Sequence, residues 1–188
     1  MKKIAIFASG TGSNFDALAQ AIDDGRLKAE IQLLVCDQKH AKVIEKAEKR
    51  GISTFVFTAK EFASKADYES MIVSKLKHAN VEWVILAGYM RLLGSTLLEA
   101  YPMHIINIHP SLLPAYKGKD AVEQAIEAGE RQVGVSIHYV DEGMDTGELI
   151  AQEAIQLTGR EQLDEVLQMV HHVEHRLYPQ TLALLFAD

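Results

Sequence analysis

An amide and an imidazole stand two residues apart near the middle of the chain, at Asn107 and His109 in the segment Asn-Ile-His-Pro-Ser-Leu-Leu-Pro. Two isoleucines precede this segment, so it reads as the end of a buried strand that enters a proline-stiffened loop. Side chains alternate along a strand, so both point to the same side. An amide placed there can donate to an oxyanion, and an imidazole can transfer a proton near neutral pH. A hydrogen-bonded strand end would account for the same pair.

An acidic loop supplies candidates for a third member of this group. It carries Asp141, Glu142 and Asp145. A carboxylate that reached His109 would orient the imidazole and favour its charged form. The spacing of the three acids does not match a calcium-binding loop. We favour Asp145 as the partner, although composition alone does not choose among the three.

A glycine-rich turn, Ser-Gly-Thr-Gly-Ser-Asn at 9–14, lies between an apolar run and a helical pattern. A helix N-terminus that follows a strand in this way suits a phosphate. Phe15 stands where the dinucleotide fingerprint needs its third glycine, so we discount Asp37 as a ribose ligand and expect a small phosphate. A tight turn whose helix is capped by Ser13 or Asn14 would explain the glycines equally well.

Two further regions carry candidate binding residues. The loop 88–94 leaves the carboxyl end of the fourth predicted strand, where ligands bind in open α/β sheets, and its apolar residues suit a flat organic ring or ordinary core packing. Glu174 falls on the apolar stripe of the last helix, where a carboxylate needs a partner. That partner is a ligand amine or hydroxyl, or an internal cation such as Arg176. The histidines around Glu174 lack the order of a zinc motif, so we predict no metal.

The order of periodic segments predicts the fold. Strands and helices alternate through the strand at 81–87, which indicates a parallel sheet with helices on both faces. Only six residues separate the strands at 134–140 and 147–157, so these should form an antiparallel edge hairpin. We therefore predict an open, mostly parallel, doubly wound α/β sheet of about seven strands, Rossmann-like, with a long C-terminal helix and a single domain at 1–188.

Composition limits the partners. The net charge of −7 argues against nucleic acid or an anionic membrane surface as the main partner. No apolar run reaches the roughly 18 residues of a membrane span. Cys36 is the single cysteine, which excludes an intrachain disulfide and a cysteine metal cluster and suits a cytoplasmic location.

Taken together, these motifs closely resemble the phosphoribosylglycinamide formyltransferases, folate-dependent enzymes of purine synthesis. The resemblance covers nearly the whole chain and rests on residues 9–14, 86–91, 107–114 and 141–147. It implies transfer of a formyl group from 10-formyltetrahydrofolate to the amine of phosphoribosylglycinamide, by a monomer or homodimer without a metal. It further implies a phosphate-binding half at 1–100 and a catalytic, folate-binding half at 101–188.

The resemblance also implies roles for individual residues. The catalytic trio is Asn107, His109 and Asp145. The residues implied for the ribonucleotide are Gly12, Ser13, Asn14, His171, His172, Val173 and Glu174. Those implied for the formyl folate are Lys65, Met90, Arg91, Leu92, Leu93, Asn107, Val140, Asp141, Glu142, Gly143, Met144 and Asp145. This chain departs from the family's usual residues in having Lys65 for an arginine, Lys117 for a proline and Asp120 for a histidine.

Three other functions share parts of this pattern. Methionyl-tRNA formyltransferase carries a further C-terminal domain and a basic tRNA face, whereas this chain is acidic and ends at Asp188. Formyltetrahydrofolate deformylase carries a regulatory domain that would precede Met1. A non-catalytic nucleotide-binding domain would have no need to keep Asn107, His109 and Asp145 together.

Overall fold

Seven strands form one sheet in the computed structural model, which describes residues 1–187. The strands are β1 (Lys2–Ala8), β2 (Ala29–Cys36), β3 (Thr54–Val56), β4 (Trp83–Leu86), β5 (Ile105–His109), β6 (Gln132–Tyr139) and β7 (Leu149–Gln156). The helices are α1 (Ser13–Asp23), α2 (Lys42–Lys49), α3 (Lys65–His78), α4 (Ser95–Ala100), α5 (Ala121–Glu127) and α6 (Leu163–Leu185). A 3₁₀ turn at Ala59–Glu61 precedes α3.

The strand order is β3-β2-β1-β4-β5-β6-β7. Strands β1 to β5 pair in parallel, and β6 and β7 form the predicted antiparallel hairpin at the edge. Strand β6 also pairs antiparallel with β5. This pairing was not predicted, because α5 lies between the two strands in the chain and a helical connection is typical of parallel strands. The chain builds outward from β1 to β3 and then restarts on the other side of β1 with β4. The carboxyl ends of β1 and β4 therefore diverge and open a crevice there.

The sheet is buried on both faces, as the continuous apolar run of β1 predicts. Ile4 and Ile6 belong to the core beneath α1 and α6, whereas Ala5 and Phe7 belong to the core beneath α3 and α4. This alternation is the ordinary two-residue period of a strand. It leaves the strand ends as the place where polar side chains collect.

Helix α6 anchors the far side of the crevice. It continues through Pro179, and the buried Tyr178 hydroxyl beside it donates to the carbonyl oxygens of Leu86 at 2.7 Å and Ile106 at 3.3 Å. The helical period predicts an apolar stripe made of Leu163, Val166, Leu167, Val170, Leu177, Thr181 and Leu184, but Leu184 is 81% exposed. Leu184 continues the seven-residue spacing of Val170 and Leu177, and a straight helix drifts by about 20° per heptad relative to that repeat.

Candidate active site

The crevice widens into a cavity of about 840 Å³. Its wall comes from the carboxyl ends of β1, β4 and β5, from β6 and the loop after it, and from α6. The cavity is lined by fifteen of the residues that the resemblance implied: Gly12, Ser13, Asn14, Met90, Arg91, Leu92, Leu93, Asn107, His109, Val140, Gly143, Met144, Asp145, His171 and Glu174.

His109 lies at the centre of this cavity with both ring nitrogens engaged. Its Nδ1 is 3.4 Å from Asp145 Oδ2, and its Nε2 donates to the carbonyl oxygen of Tyr116 at 2.8 Å. The imidazole is 6% exposed. Because a carbonyl oxygen only accepts, Nε2 carries the hydrogen. The Nδ1 atom therefore faces the Asp145 carboxylate, and the two contacts together fix the orientation of the ring.

Asp145 is the acid that reaches the histidine. Its Oδ2 accepts a hydrogen bond from the Gly118 backbone N–H at 2.8 Å. Burial acts to raise the pKa of Asp145, but the His138 side chain, the Gly118 N–H and the nearby charge of His109 together lower it. Asp145 is therefore a carboxylate held in its charged form against a histidine.

The other two acids of the loop do different work. Asp141 Oδ1 accepts from the Thr146 hydroxyl at 2.5 Å and from the Gly143 N–H at 2.9 Å, so this carboxylate closes the turn of its own loop. The Thr146 bond is the main reason that the pKa of Asp141 is lowered. Neither Asp141 nor Glu142 lines the cavity.

His138 is a member of this centre that the sequence analysis missed. It pairs with Asn107 across the β5–β6 ladder and is 2% exposed. Its Nε2 lies 3.3 Å from Asn107 Nδ2 and 3.6 Å from Asp145 Oδ1, and its Nδ1 donates to the Tyr139 carbonyl oxygen at 2.8 Å. The available signal was a histidine inside an otherwise apolar core strand. Recognising it required the antiparallel register of β6 on β5.

The glycine turn at the other end of the cavity is built from backbone. Gly12 is the N-cap of α1 with φ +78°, and a Cβ there would lie 2.6 Å from Val43 Cγ2. The prediction that Ser13 or Asn14 caps the helix is wrong, because neither side chain accepts a capping hydrogen bond. The first N–H groups of an α-helix have no partner within the helix, and here they border the cavity.

Glu174 faces the cavity from α6, near that turn. The residue is 6% exposed, and burial raises its pKa to about 7 against a smaller opposing effect of the Asn14 side chain. The Oδ1 atom of Asn14 is itself buried and has no hydrogen-bond partner within residues 1–187. The alternative of a salt bridge from Glu174 to Arg176 is wrong, since Arg176 pairs with Glu153 on β7.

The apolar end of the cavity is the loop 88–94 after β4. Met90 is 76% exposed, Leu92 is 44% exposed and Leu93 is buried. Lys65 does not line the cavity; its Nζ donates to the Leu92 carbonyl oxygen at 2.8 Å and so supports the loop from outside. The remaining implied residues outside the lining are His172, which is exposed on α6, and Val173, which packs into the core.

Within residues 1–187, no group of three or more histidine, cysteine, aspartate or glutamate side chains is placed to hold a metal ion. Over the same residues, no helix combines the length and apolarity needed to cross a membrane.

Comparison with known proteins shows the family to which the chain belongs. The formyl transferase family model matches residues 2–182. The chain belongs to the formyl transferase family. The phosphoribosylglycinamide formyltransferase of Bacillus subtilis (strain 168) is 50% identical over 185 residues, covering 98% of this chain and 95% of that protein.

Solved structures agree on the fold. The glycinamide ribonucleotide transformylase 1 of Geobacillus kaustophilus superposes with a TM-score of 0.97 at 51% identity and covers 100% of both chains. The phosphoribosylglycinamide formyltransferase of Bacillus halodurans also gives a TM-score of 0.97, at 48% identity, and covers 100% of this chain and 96% of that one. The family resemblance and the fold class predicted from the sequence are both confirmed.

Proposed function

We propose that this chain transfers the formyl group of 10-formyltetrahydrofolate to the amine of phosphoribosylglycinamide, as an enzyme of purine synthesis. One observation carries the proposal: the N-terminus of α1, which suits an anion, and the group Asn107, His109 and Asp145 line the same cavity. A formyl transfer between two bound molecules needs this combination, because both substrates must reach one reaction centre. The names of the relatives support the same reaction.

The ribonucleotide fits the end of the cavity at α1. Its phosphate would accept hydrogen bonds from the backbone N–H groups of Ser13 and Asn14, with the positive end of the helix dipole behind them. Glu174 and the unpartnered Asn14 Oδ1 would then accept from the ribose hydroxyls or the amine. This use of residues 10–14 matches the phosphate-binding half predicted at 1–100.

The folate ring fits the other end, along the loop 88–94. Met90, Leu92 and Met144 are exposed apolar side chains beside the cavity, and a flat aromatic ring is the kind of ligand that would cover them. The formyl carbon would then lie beside Asn107 and His109.

The reaction follows from the groups at the centre. The neutral amine attacks the formyl carbon, and a C–N bond forms while the carbonyl electron pair moves onto oxygen. Asn107 Nδ2 and protonated His109 donate to that oxyanion. The Tyr116 carbonyl holds His109 Nε2 when no substrate is present, so the oxyanion would replace it as the acceptor. Collapse of the adduct breaks the bond to N10 of the folate.

Proton transfer completes the balance. The attacking nitrogen loses one proton, and N10 of the departing tetrahydrofolate gains one. Asp145 is the carboxylate beside Nδ1 of the imidazole, and its lowered pKa keeps it charged at neutral pH, so it would orient His109 and relay the proton through a water molecule. His138 and the Gly118 N–H hold this carboxylate from the other side.

The test is a formyl-transfer assay with both substrates. Formation of tetrahydrofolate is followed spectrophotometrically with and without the ribonucleotide. A signal that requires both compounds, and that falls by more than a hundredfold in His109→Ala, supports the proposal. A signal of equal size without the ribonucleotide would assign the chain to folate deformylation instead. Binding of both compounds without turnover would contradict any catalytic role.

A further inference from the structure

A buried carboxylate outside the cavity holds the loop that forms its apolar end. Asp37 follows β2 and is 4% exposed, yet it takes no part in the chemistry above. Its Oδ2 accepts from Arg91 Nε at 2.7 Å, and its Oδ1 accepts from the Ser9 hydroxyl at 2.5 Å. A buried carboxylate is costly unless it is paired and hydrogen-bonded, so these contacts fix one another.

Ser9 carries the constraint to the backbone of the loop. Its hydroxyl oxygen accepts from the Met90 N–H at 3.0 Å, and its own N–H donates to the Gly88 carbonyl oxygen at 3.0 Å. Asp37 thus reaches the loop by two routes: directly through the Arg91 side chain, and through the Ser9 hydroxyl to the main chain of Met90. Both routes meet the part of the loop that borders the cavity.

The Arg91 side chain, which borders the cavity, is held by contacts on two sides. Its Cζ lies 5.9 Å from the centre of the Tyr68 ring, and its Nε is bonded to Asp37. An arginine held by a carboxylate on one side and an aromatic face on the other has little freedom left. Its side chain is best described as a brace for the loop.

The far end of the loop is held by a second buried carboxylate. Glu69 on α3 is 2% exposed and accepts from the Gly94 N–H at 2.8 Å and from the Leu97 N–H at 3.2 Å. Lys65, one turn earlier on α3, donates to the Leu92 carbonyl oxygen. The loop is therefore fixed at both ends, and the Asp37 end is the one that carries Met90 and Arg91.

We propose that Asp37 is a positioning residue for the folate co-substrate, acting through Arg91 and Ser9 to set the conformation of the loop 88–94. This inference rests on the proposed formyl transfer. It predicts a selective effect: loss of the Asp37 charge disorders the folate end of the cavity and leaves the glycine turn and the trio in place.

The first test is Asp37→Asn, which keeps the shape and removes the charge. We expect the KM for 10-formyltetrahydrofolate to rise about tenfold, the usual size for loss of a hydrogen bond to a charged group. The KM for the ribonucleotide and kcat should stay within about twofold of the unchanged enzyme, since neither depends on this loop. Asp24→Asn is the matched control, because Asp24 pairs with Arg26 on the exposed surface away from the cavity. It should leave all three constants unchanged.

The second test separates positioning from a general loss of stability. Arg91→Met removes the guanidinium that pairs with Asp37. If Asp37 acts mainly through Arg91, this variant should show the same selective rise in the KM for 10-formyltetrahydrofolate. The double variant Asp37→Asn with Arg91→Met should then be no worse than the more affected single variant, because the two residues act as one unit. If Asp37→Asn does not fold, Ser9→Ala decides, because it removes the hydroxyl that links Asp37 to the Met90 N–H and lies outside the cavity lining.

The outcomes distinguish this inference from the function on which it rests. Absence of transfer in the unchanged protein refutes the proposed function. An active protein whose Asp37→Asn and Arg91→Met variants keep the original KM for the folate overturns the positioning role alone. An equal rise in the KM values of both substrates, or a fall in kcat alone, also overturns it. A rise confined to the folate KM supports it, as does a matching loss of tetrahydrofolate affinity by titration calorimetry.

Discussion

Two regions of this cavity are built in different ways. The region proposed for the phosphate is a contiguous backbone turn, in which Gly12 has a positive φ and α1 offers its free N–H groups. The proposed reaction centre consists of the side chains of Asn107, His109, His138 and Asp145, brought together by the pairing of β5 with β6 and by the loop after β6. Binding at the first depends on conformation. Chemistry at the second depends on particular protons and charges.

The largest effects should come from the reaction centre. His109→Ala and Asp145→Asn should each lower kcat by about 10²–10³, equivalent to roughly 3–4 kcal/mol of barrier, because the first removes an oxyanion donor and the second removes the carboxylate that orients it and relays the proton. The KM for the ribonucleotide should change little, since its phosphate lies at the other end. Steady-state kinetics with both substrates varied gives the answer. Near-normal turnover in either variant would remove that residue from the mechanism.

Glu174, which borders the cavity near the glycine turn, should make the stability of the protein depend on pH. Its pKa is about 7 in the folded protein against 4.5 when exposed. Between these values the folded state keeps a proton that the unfolded state has lost, so stability is fully present below about pH 4.5 and falls as the pH rises through 7. The loss amounts to about 3 kcal/mol at most.

Glu174→Gln should abolish this loss. Urea denaturation of both proteins from pH 5 to pH 8 measures the difference in unfolding free energy, in which the titration of the histidines largely cancels. We expect the variant to gain stability relative to the unchanged protein as the pH rises. If the unfolding free energies of the two proteins changed with pH in parallel, Glu174 would be ionised and well solvated in the folded state.

Gly12→Ala should affect the phosphate end without touching the chemistry. The alanine Cβ would meet Val43 Cγ2 at 2.6 Å, and the positive φ adds about 1–2 kcal/mol of strain. We expect a higher KM for the ribonucleotide and a loss of stability of about 2 kcal/mol, with kcat nearly preserved.

Gly25→Ala is the control, because Gly25 has φ +77° with open space around its Cβ position. That variant should lose about 1 kcal/mol of stability and keep its kinetic constants. Equal KM changes in the two variants would detach Gly12 from phosphate binding.

The smallest effect should come from His138→Gln. Glutamine retains polar contact with Asn107 and Asp145 but cannot hold them with a rigid ring, so we expect about a tenfold fall in kcat, or roughly 1.4 kcal/mol. The KM values should stay close to those of the unchanged protein. A fall as large as that of His109→Ala would make His138 a direct participant.

The same contrast decides how much could be read from the sequence. The turn at 9–14 and the alternation of strands and helices depend on neighbours in the chain, so the fold and the phosphate-facing turn were predictable. The pairing of His109 with Asp145 was one of three open choices, because it depends on the shape of the loop after β6. His138 was missed, and the pairing of Asp37 with Arg91 was not predicted, because these contacts join residues 31 and 54 positions apart. Only the strand order and register bring such groups together.

The most direct test of the account follows the formyl carbon itself. 10-Formyltetrahydrofolate labelled with ¹³C at the formyl group is incubated with the protein and phosphoribosylglycinamide, and the label is tracked by NMR. The account predicts that the label appears in the amide of the formylated ribonucleotide in step with tetrahydrofolate formation, and that it stays on the folate when the ribonucleotide is left out. Release of the label as free formate, with or without the ribonucleotide, would contradict it.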